Sequence, residues 1–275
     1  MKSLRHHRAF TLVEMMLALA VAMLLLVVLL SITMNASSWM TTIQGRASAI
    51  HDAQVALDYL ERDFVSLIPT DQAQSTLAIV PETVSGPNAS AISSFWIMML
   101  CRPVDTSIQG ATKVVSYRLI YSDPMTPNGV HKQLVLYRTI VTGTTASTAF
   151  NQADLYSGYW KNYWPTYASL NSGKAILDDY LLKNVVDIKV SVCCNNNGSL
   201  ATLSLNSTLN WSASGFSASN ITTPNIPLSI SVTLTVLTSQ GVRLQESGAL
   251  SLADIIAKEG VVVNRTFPIM ANQVF

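Results

Sequence analysis

Arg8-Ala9-Phe10-Thr11-Leu12-Val13-Glu14, followed by MMLALAVAMLLLVVLLSITM over residues 15–34, is the stretch on which the reading of this chain turns. Before it lies a short leader, residues 1–9, whose charges are Lys2, Arg5 and Arg8 and whose last residue is the small Ala9. After it, residues 15–34 carry no charge at all. As a helix, those 20 residues would reach roughly 30 Å, the thickness of a bilayer's hydrocarbon core. One carboxylate, Glu14, stands at the mouth of the run. A charge in the bilayer centre costs about 2.5–3.5 kcal/mol on insertion scales, so a carboxylate there asks for a functional explanation.

Three readings of this N-terminus compete. A secretory signal has an apolar region of about 7–15 residues and an A-x-A-like cleavage site after it. Here the run is longer, and Thr33-Met34-Asn35-Ala36 makes a poor site. A plain single-pass anchor fits the length, with the basic leader held on the cytoplasmic side. In the third reading only the leader is removed and the apolar segment stays as a helix. The string A-F-T-L-V-E-M resembles the prepilin cleavage/methylation motif of type IV pilins and type II secretion pseudopilins. That resemblance implies a cut by prepilin peptidase between Ala9 and Phe10, followed by N-methylation of Phe10. The family usually has Gly before the cut, where this chain has Ala9. It further implies that Glu14, fifth in the mature chain, pairs with the N-terminal amine of a neighbouring subunit as a filament assembles. Taken alone, Glu14 is equally a first-turn acid favoured by the helix dipole.

Composition fits an anchored export product: charged residues are 12% and apolar ones 49%, which suits a packed head plus one membrane helix. Without Lys2, Arg5 and Arg8 the chain would hold 14 basic and 16 acidic residues, leaving no basic excess to argue for nucleic acid. The part beyond the membrane run is long enough for one sizeable domain with its own core.

The helix is expected to continue past the membrane over residues 35–68. After a polar collar, Asn35 to Gln44, apolar Ile50, Ala53, Leu57, Leu60, Phe64 and Leu67 recur at alternating steps of three and four. Asp52, Asp58, Glu61, Arg62 and Asp63 read as its wet face, and Pro69-Thr70-Asp71 as its stop. Gly45 costs about 1 kcal/mol inside a helix and marks a candidate joint.

Residues 69–275 read as a strand-rich head. Val115, Tyr117, Leu119 and Tyr121 alternate with Ser116, Arg118 and Ile120. Leu134 to Val141 forms a second extended run, and the Pro124, Pro127 and Asn128-Gly129 turn chemistry between them predicts a hairpin with a loop. Val185–Val192 is extended. Leu228 to Val236 alternates strictly between apolar residues and Ser or Thr, the pattern of a half-buried antiparallel strand, and Gly260–Phe267 makes a final strand.

Two further features carry the resemblance beyond the motif. Ala56 to Phe64 contains L-E-R-D, similar to the L-E-R-D-L stretch in the long helix of J-type minor pseudopilins. The blocks V-S-Y-R-L, L-V-L-Y-R, L-L-K-N-V-V-D-I-K-V, I-P-L-S-I-S-V-T-L-T-V and R-T-F-P follow in that family's order. Against it, Pro81 to Asn88, Thr144 to Leu177 and Asn195 to Pro224 read as insertions. The pattern also resembles large pilin-like proteins of the Verru_Chthon cassette type.

Little in the head points to chemistry. His6 and His7 lie in the leader, and His51 and His131 have no Cys or carboxylate at metal-ligand spacing. G-x-S-x-G, H-E-x-x-H and phosphate-cradling glycine loops are absent from the sequence. Asp178-Asp179 lacks the oxygen-ligand spacing of a calcium loop, although some major pseudopilins bind calcium. A bridge from Cys101 to Cys193 or Cys194 would close a loop of about 90 residues, worth roughly 4 kcal/mol in the chain-entropy model. A strained vicinal Cys193–Cys194 bond, a rare arrangement, and three free thiols are the other readings, and the odd count does not decide among them. Tyr156, Tyr159, Trp160, Tyr163, Trp164 and Tyr167 crowd one insertion, where they either pin a loop to its own domain or meet a partner protein.

The expectation is therefore an α+β pilin-like fold, with a long N-terminal helix packed on an antiparallel head. The resemblance implies a minor pseudopilin of the inner membrane with a periplasmic head. Its partners would be prepilin peptidase and other minor and major pseudopilins, with no nucleic acid, small-molecule substrate, cofactor, metal or catalytic residue. The alternatives are a minor pilin of a type IV pilus or DNA-uptake machine, and an uncut single-pass protein with a ligand-binding head.

Overall fold

The computed structural model describes residues 11–68, 76–86, 91–102, 113–123, 132–142, 180–196, 199–204, 209–212, 215–218, 226–248 and 250–269. It divides into two units, Met1–Arg46 and Ala47–Phe275. A single helix, α1 (Leu12–Val65, 54 residues), contributes to both and runs unbroken through Gly45. It ends before Pro69: the Ser66 and Leu67 amides turn onto the Asp63 and Phe64 carbonyls, and Leu67 then bridges to Cys101.

Within the second unit the helix buries Ala49, Ala53, Ala56, Leu57, Leu60, Asp63 and Phe64. That stripe departs from the sequence expectation at both edges. Ile50 is exposed, and Asp63, assigned to the wet face, is 1% exposed. The physical reason is rotational. Ala49, Ala56 and Asp63 repeat every seven residues and share the buried side with Ala53, Leu57, Leu60 and Phe64, which turns Ile50 outward.

Eleven strands form two antiparallel sheets among the described residues. They are β1 (Leu77–Ser85), β2 (Ala91–Cys101), β3 (Lys113–Ser122), β4 (Gln133–Thr142), β5 (Tyr180–Lys183), β6 (Val185–Asn196), β7 (Ser199–Ser204), β8 (Leu209–Ser212), β9 (Gly215–Ala218), β10 (Ile226–Leu237) and β11 (Gly260–Pro268). The larger sheet has the order β5-β4-β3-β2-β1-β8-β9, the smaller β11-β10-β6-β7. The predicted hairpin is β3–β4, with Tyr117 opposite Arg138 and Leu119 opposite Leu136. The strict alternation of β10 is explained by its pairing on both sides, with β6 and with β11. One hydrophobic core joins residues 49–67 of the chain to one face of each sheet. Ile79, Ile97, Met99 and Leu136 come from the larger sheet, and Ile188, Val190, Val232 and Leu234 from the smaller. Strand β2 is nearly continuous in apolar residues from Phe95 to Cys101 because Trp96, Met98 and Leu100, on its other face, are buried too.

Three stretches differ from their expectation. Residues 81–88, read as an insertion, include most of β1. Its Pro81 sits opposite Phe95 and beyond the part of β1 that pairs with β8, so its missing N–H interrupts no second ladder. The stretch 195–224 supplies β7 to the smaller sheet and the β8–β9 hairpin to the larger one. The stretch between β10 and β11, for which the reading of a strand-rich head names no element, holds two helices, α2 (Ser239–Ser247) and α3 (Leu252–Glu259). Thr238 caps α2 by accepting the Gly241 amide, Gly248 closes it at φ 65°, and Ser251 caps α3 by accepting the Asp254 amide. Gly241 is required where it stands, since a Cβ there would lie 2.9 Å from the Glu259 Cβ.

The last turn of α1 is joined to β11 by a stacked pair, Phe64 and Phe267, with ring centroids 5.2 Å apart and an interplanar angle of 20°. Phe267→Ala should destabilise the head by about 3–5 kcal/mol, the usual cost of removing a buried phenylalanine. A urea midpoint equal to wild type, followed by near-UV circular dichroism of the solubilised chain, would contradict this.

Candidate assembly site

The chemistry at the start of α1 follows from two residues three positions apart. Thr11 donates both its backbone N–H (2.9 Å) and its hydroxyl (3.0 Å) to one carboxylate oxygen of Glu14, and the Glu14 amide donates back to Thr11 Oγ1 at 3.3 Å. This is a reciprocal capping box, which satisfies two of the amides that a helix start leaves without a partner. Thr11-x-x-Glu14 was the available sequence signal for it. The box holds the carboxylate at the positive end of the helix dipole, and the apolar side chains that follow, such as Met16, Leu24 and Leu29, are exposed. Helix α1 is long and apolar enough to cross a membrane.

The other end of α1 carries a polar centre that sequence reasoning missed. Asp63 Oδ1 accepts from Lys113 Nζ at 3.1 Å and from Arg138 Nη2 at 2.9 Å. Its Oδ2 accepts from the Tyr117 hydroxyl at 2.6 Å and from Arg138 Nε at 2.8 Å. All four lone-pair positions of the carboxylate are thereby filled. Strand register supplies the donors: Lys113 and Tyr117 are four apart on β3, on one face, and Arg138 sits directly across from Tyr117 on β4. Arg138 also lies over the Tyr59 ring, 5.4 Å from its centroid, and Arg62 approaches that ring at 5.9 Å. Nearer the solvent, Arg265 of β11 pairs with Asp58 and with Glu61. The sequence signal for Asp63 was its position seven residues after Ala56, on the buried stripe rather than opposite it.

Burial alone would raise the Asp63 carboxyl. Hydrogen bonds from Arg138 and Tyr117, with the charges of Arg138 and Lys113, outweigh it and hold the group below its ordinary value. Burial would lower the Arg138 guanidinium, but Asp63 keeps it above its usual range. Burial and the neighbouring Asp63 charge push the Tyr117 phenol up, so it stays a donor. The Cys101 thiol, pushed up to about 12 chiefly by burial, donates to the Asp63 carbonyl at 3.3 Å. With its acceptors filled, Asp63 has no lone pair left for a proton-transfer role; the arrangement clamps a helix to a sheet.

Residues 4–30 match the family model described as the prokaryotic N-terminal methylation motif. The chain carries a prepilin-type methylation motif. The type IV-like pilin TTHA1219 from Thermus thermophilus is similar in structure at 11% sequence identity, with 80% of this chain and 94% of that chain covered and a TM-score of 0.35. No curated protein matches the chain.

Of the residues singled out from sequence, Ala9 and Phe10 fall within the matched motif but outside the described residues. His131, Asp178, Asp179 and the aromatic run Tyr156 to Tyr167 also lie outside them. Glu14 is in the capping box. The three cysteines are free thiols, so neither bridge from Cys101 is formed in this structure: Cys101 ends β2 in the larger sheet, and Cys193 and Cys194 lie on β6 in the smaller.

The depressed Asp63 carboxyl links stability to pH. Its contribution is fully present above the unfolded-state value of about 3.9 and is lost as pH falls through the lower folded value. Asp63→Asn should cost about 3–5 kcal/mol at neutral pH, because it strands two partly buried cations. It should also flatten the fall in stability below about pH 4. Equal acid slopes for the two proteins in urea titrations would assign the linkage to other carboxylates.

Proposed function

We propose that this chain is a processed, filament-type membrane subunit of the type IV pilin-like class, and within it a minor pseudopilin similar to the J type of type II secretion systems. The observation that carries the reading is the methylation-motif match over residues 4–30, set on an uncharged run of bilayer length. Prepilin peptidase would remove residues 1–9 and methylate the new N-terminus at Phe10. The apolar part of α1 would rest in the inner membrane with the head on the far side, then leave the bilayer to bury against its neighbours. Glu14 would exchange its contact with Thr11 for the amine of a neighbouring subunit, fixing register more than adding stability. The L-E-R-D segment and the order of the strand blocks support the minor, J-type assignment. The chain's role is structural, and its own chemistry is that of a peptidase substrate.

Mass spectrometry of the membrane fraction, from cells that possess the peptidase, tests the central step. A chain beginning at N-methylated Phe10 is expected; recovery with Met1 and the leader intact would overturn the reading in favour of an uncut anchor. Crosslinking in membranes should capture other pseudopilins, whereas capture of pilus subunits alone would move the chain to a type IV pilus. Glu14→Lys should be cut normally yet co-purify poorly with partner subunits, and undiminished co-purification would remove Glu14 from assembly.

A further inference from the structure

The uncharged part of α1 is longer than a hydrocarbon core requires. After Glu14 the next charged residue is Arg46, and the 31 residues between them contain neither acid nor base. From Glu14 to Arg46 the helix axis covers about 48 Å, against about 30 Å for the hydrocarbon core and about 40–45 Å with the headgroup layers included. The match is to the whole bilayer, not to its oily centre.

The collar between Asn35 and Gln44 is built to accept that environment. Three of its hydroxyls are turned back onto the helix: Ser38 donates to the Asn35 carbonyl at 2.8 Å, and Thr41 and Thr42 donate to the Ser38 carbonyl at 2.8 and 3.0 Å. Thr33 does the same toward Leu29 at 2.8 Å. Each bond gives the hydroxyl proton a partner without water. On the same segment Trp39 is 74% exposed, with Met40 and Ile43 exposed beside it. Trp39 is the only Phe, Tyr or Trp between Phe10 and Tyr59.

Its depth follows from the rise of the helix. With residues 15–34 centred on the bilayer midplane, Trp39 lies about 22 Å along the axis from the midplane, or about 20 Å at the usual tilt. The hydrocarbon edge is at roughly 15 Å and the outer limit of the headgroups at roughly 20–22 Å. That depth is the backbone's; helical side chains lean toward the N-terminus, here toward the midplane, so the indole reaches back from the outer headgroups toward the upper chains, the interfacial zone in which tryptophan is enriched.

We infer that Trp39 is a lipid-headgroup anchor: with the Met40–Ile43 surface and the self-bonded hydroxyls, it seats the far end of the α1 membrane segment in the interface of the leaflet away from the leader. The occupant of this exposed face is lipid, and the anchor sets the depth from which the subunit must later be withdrawn. The inference rests on the proposed membrane-held state.

The test uses the full chain reconstituted in vesicles of phosphatidylcholine with a minority of phosphatidylglycerol. The vesicles carry quenchers at the headgroup, near the top of the acyl chain or near its end. Trp39→Phe lies outside the head and leaves its core untouched, so the difference between wild-type and variant emission reports Trp39 alone. That difference should be quenched most by the headgroup and upper-chain probes and least by the chain-end probe. Strongest quenching by the chain-end probe, or quenching by none of the lipids, would overturn the anchor; the second result would give the face to protein. Flotation separates the two levels of failure. A chain that floats with vesicles but lacks interfacial quenching defeats the anchor alone, and a chain that does not float defeats the membrane-held state as well.

Discussion

A carboxylate that has been taken from water must find donors for every lone pair, and Asp63 finds all four on two adjacent strands. This requirement defines how the end of α1 meets the larger sheet. The apolar contacts of that helix are partly made by Ala49, Ala53 and Ala56, which allow close approach but have little shape to resist rotation or sliding. The four hydrogen bonds from Lys113, Tyr117 and Arg138 supply the directional contacts, tied to one rotation and one axial setting, that those alanines lack. Buried ion pairs often add little net stability compared with a well-packed apolar replacement, while breaking one is costly. The value of this one lies in selecting an arrangement. It also offsets an unfavourable placement, since an acid in the last turn of a helix opposes the dipole and here two cations answer it.

How much of this was legible in the sequence depended on whether the signal was local. The membrane-length run, the β3–β4 hairpin and strand β10 could be read because each carried its own local signal: a long run without charge, two extended runs flanking turn residues, and a strict period of two. Helices α2 and α3 could not be read from periodicity, because α2 is too short and too polar to show a stripe. Their signals were caps, Thr238, Gly248 and Ser251, which work residue by residue. Asp63 failed for a different reason. A charged residue on a helix is assigned to water unless its partners are known, and those partners lie 50 to 75 positions away on strands whose register only the fold supplies.

Glu14 and Asp63 are two acids of one helix with opposite situations. Among the described residues Glu14 bonds within its own first turn, through contacts three residues apart, in a part of the helix where the surrounding side chains are exposed. Asp63 is bonded to residues far along the chain and is closed off from solvent. A local capping bond can be exchanged for another donor without disturbing any packing, whereas the Asp63 contacts cannot be given up without opening the core. The exchange proposed for Glu14 and the clamp at Asp63 each suit the kind of bonding found there.

The Cys101 thiol has a consequence of its own. At about pH 7 a group that titrates near 12 holds only a trace of the thiolate that attacks disulfides or reacts with peroxide, and its proton is engaged by the Asp63 carbonyl in a buried site. The folded head therefore keeps this sulfur out of exchange reactions by structure alone. An oxidising surrounding can meet Cys101 only during the interval before the clamp has closed, which makes the timing of folding, rather than the reactivity of the native state, the point at which that residue is vulnerable.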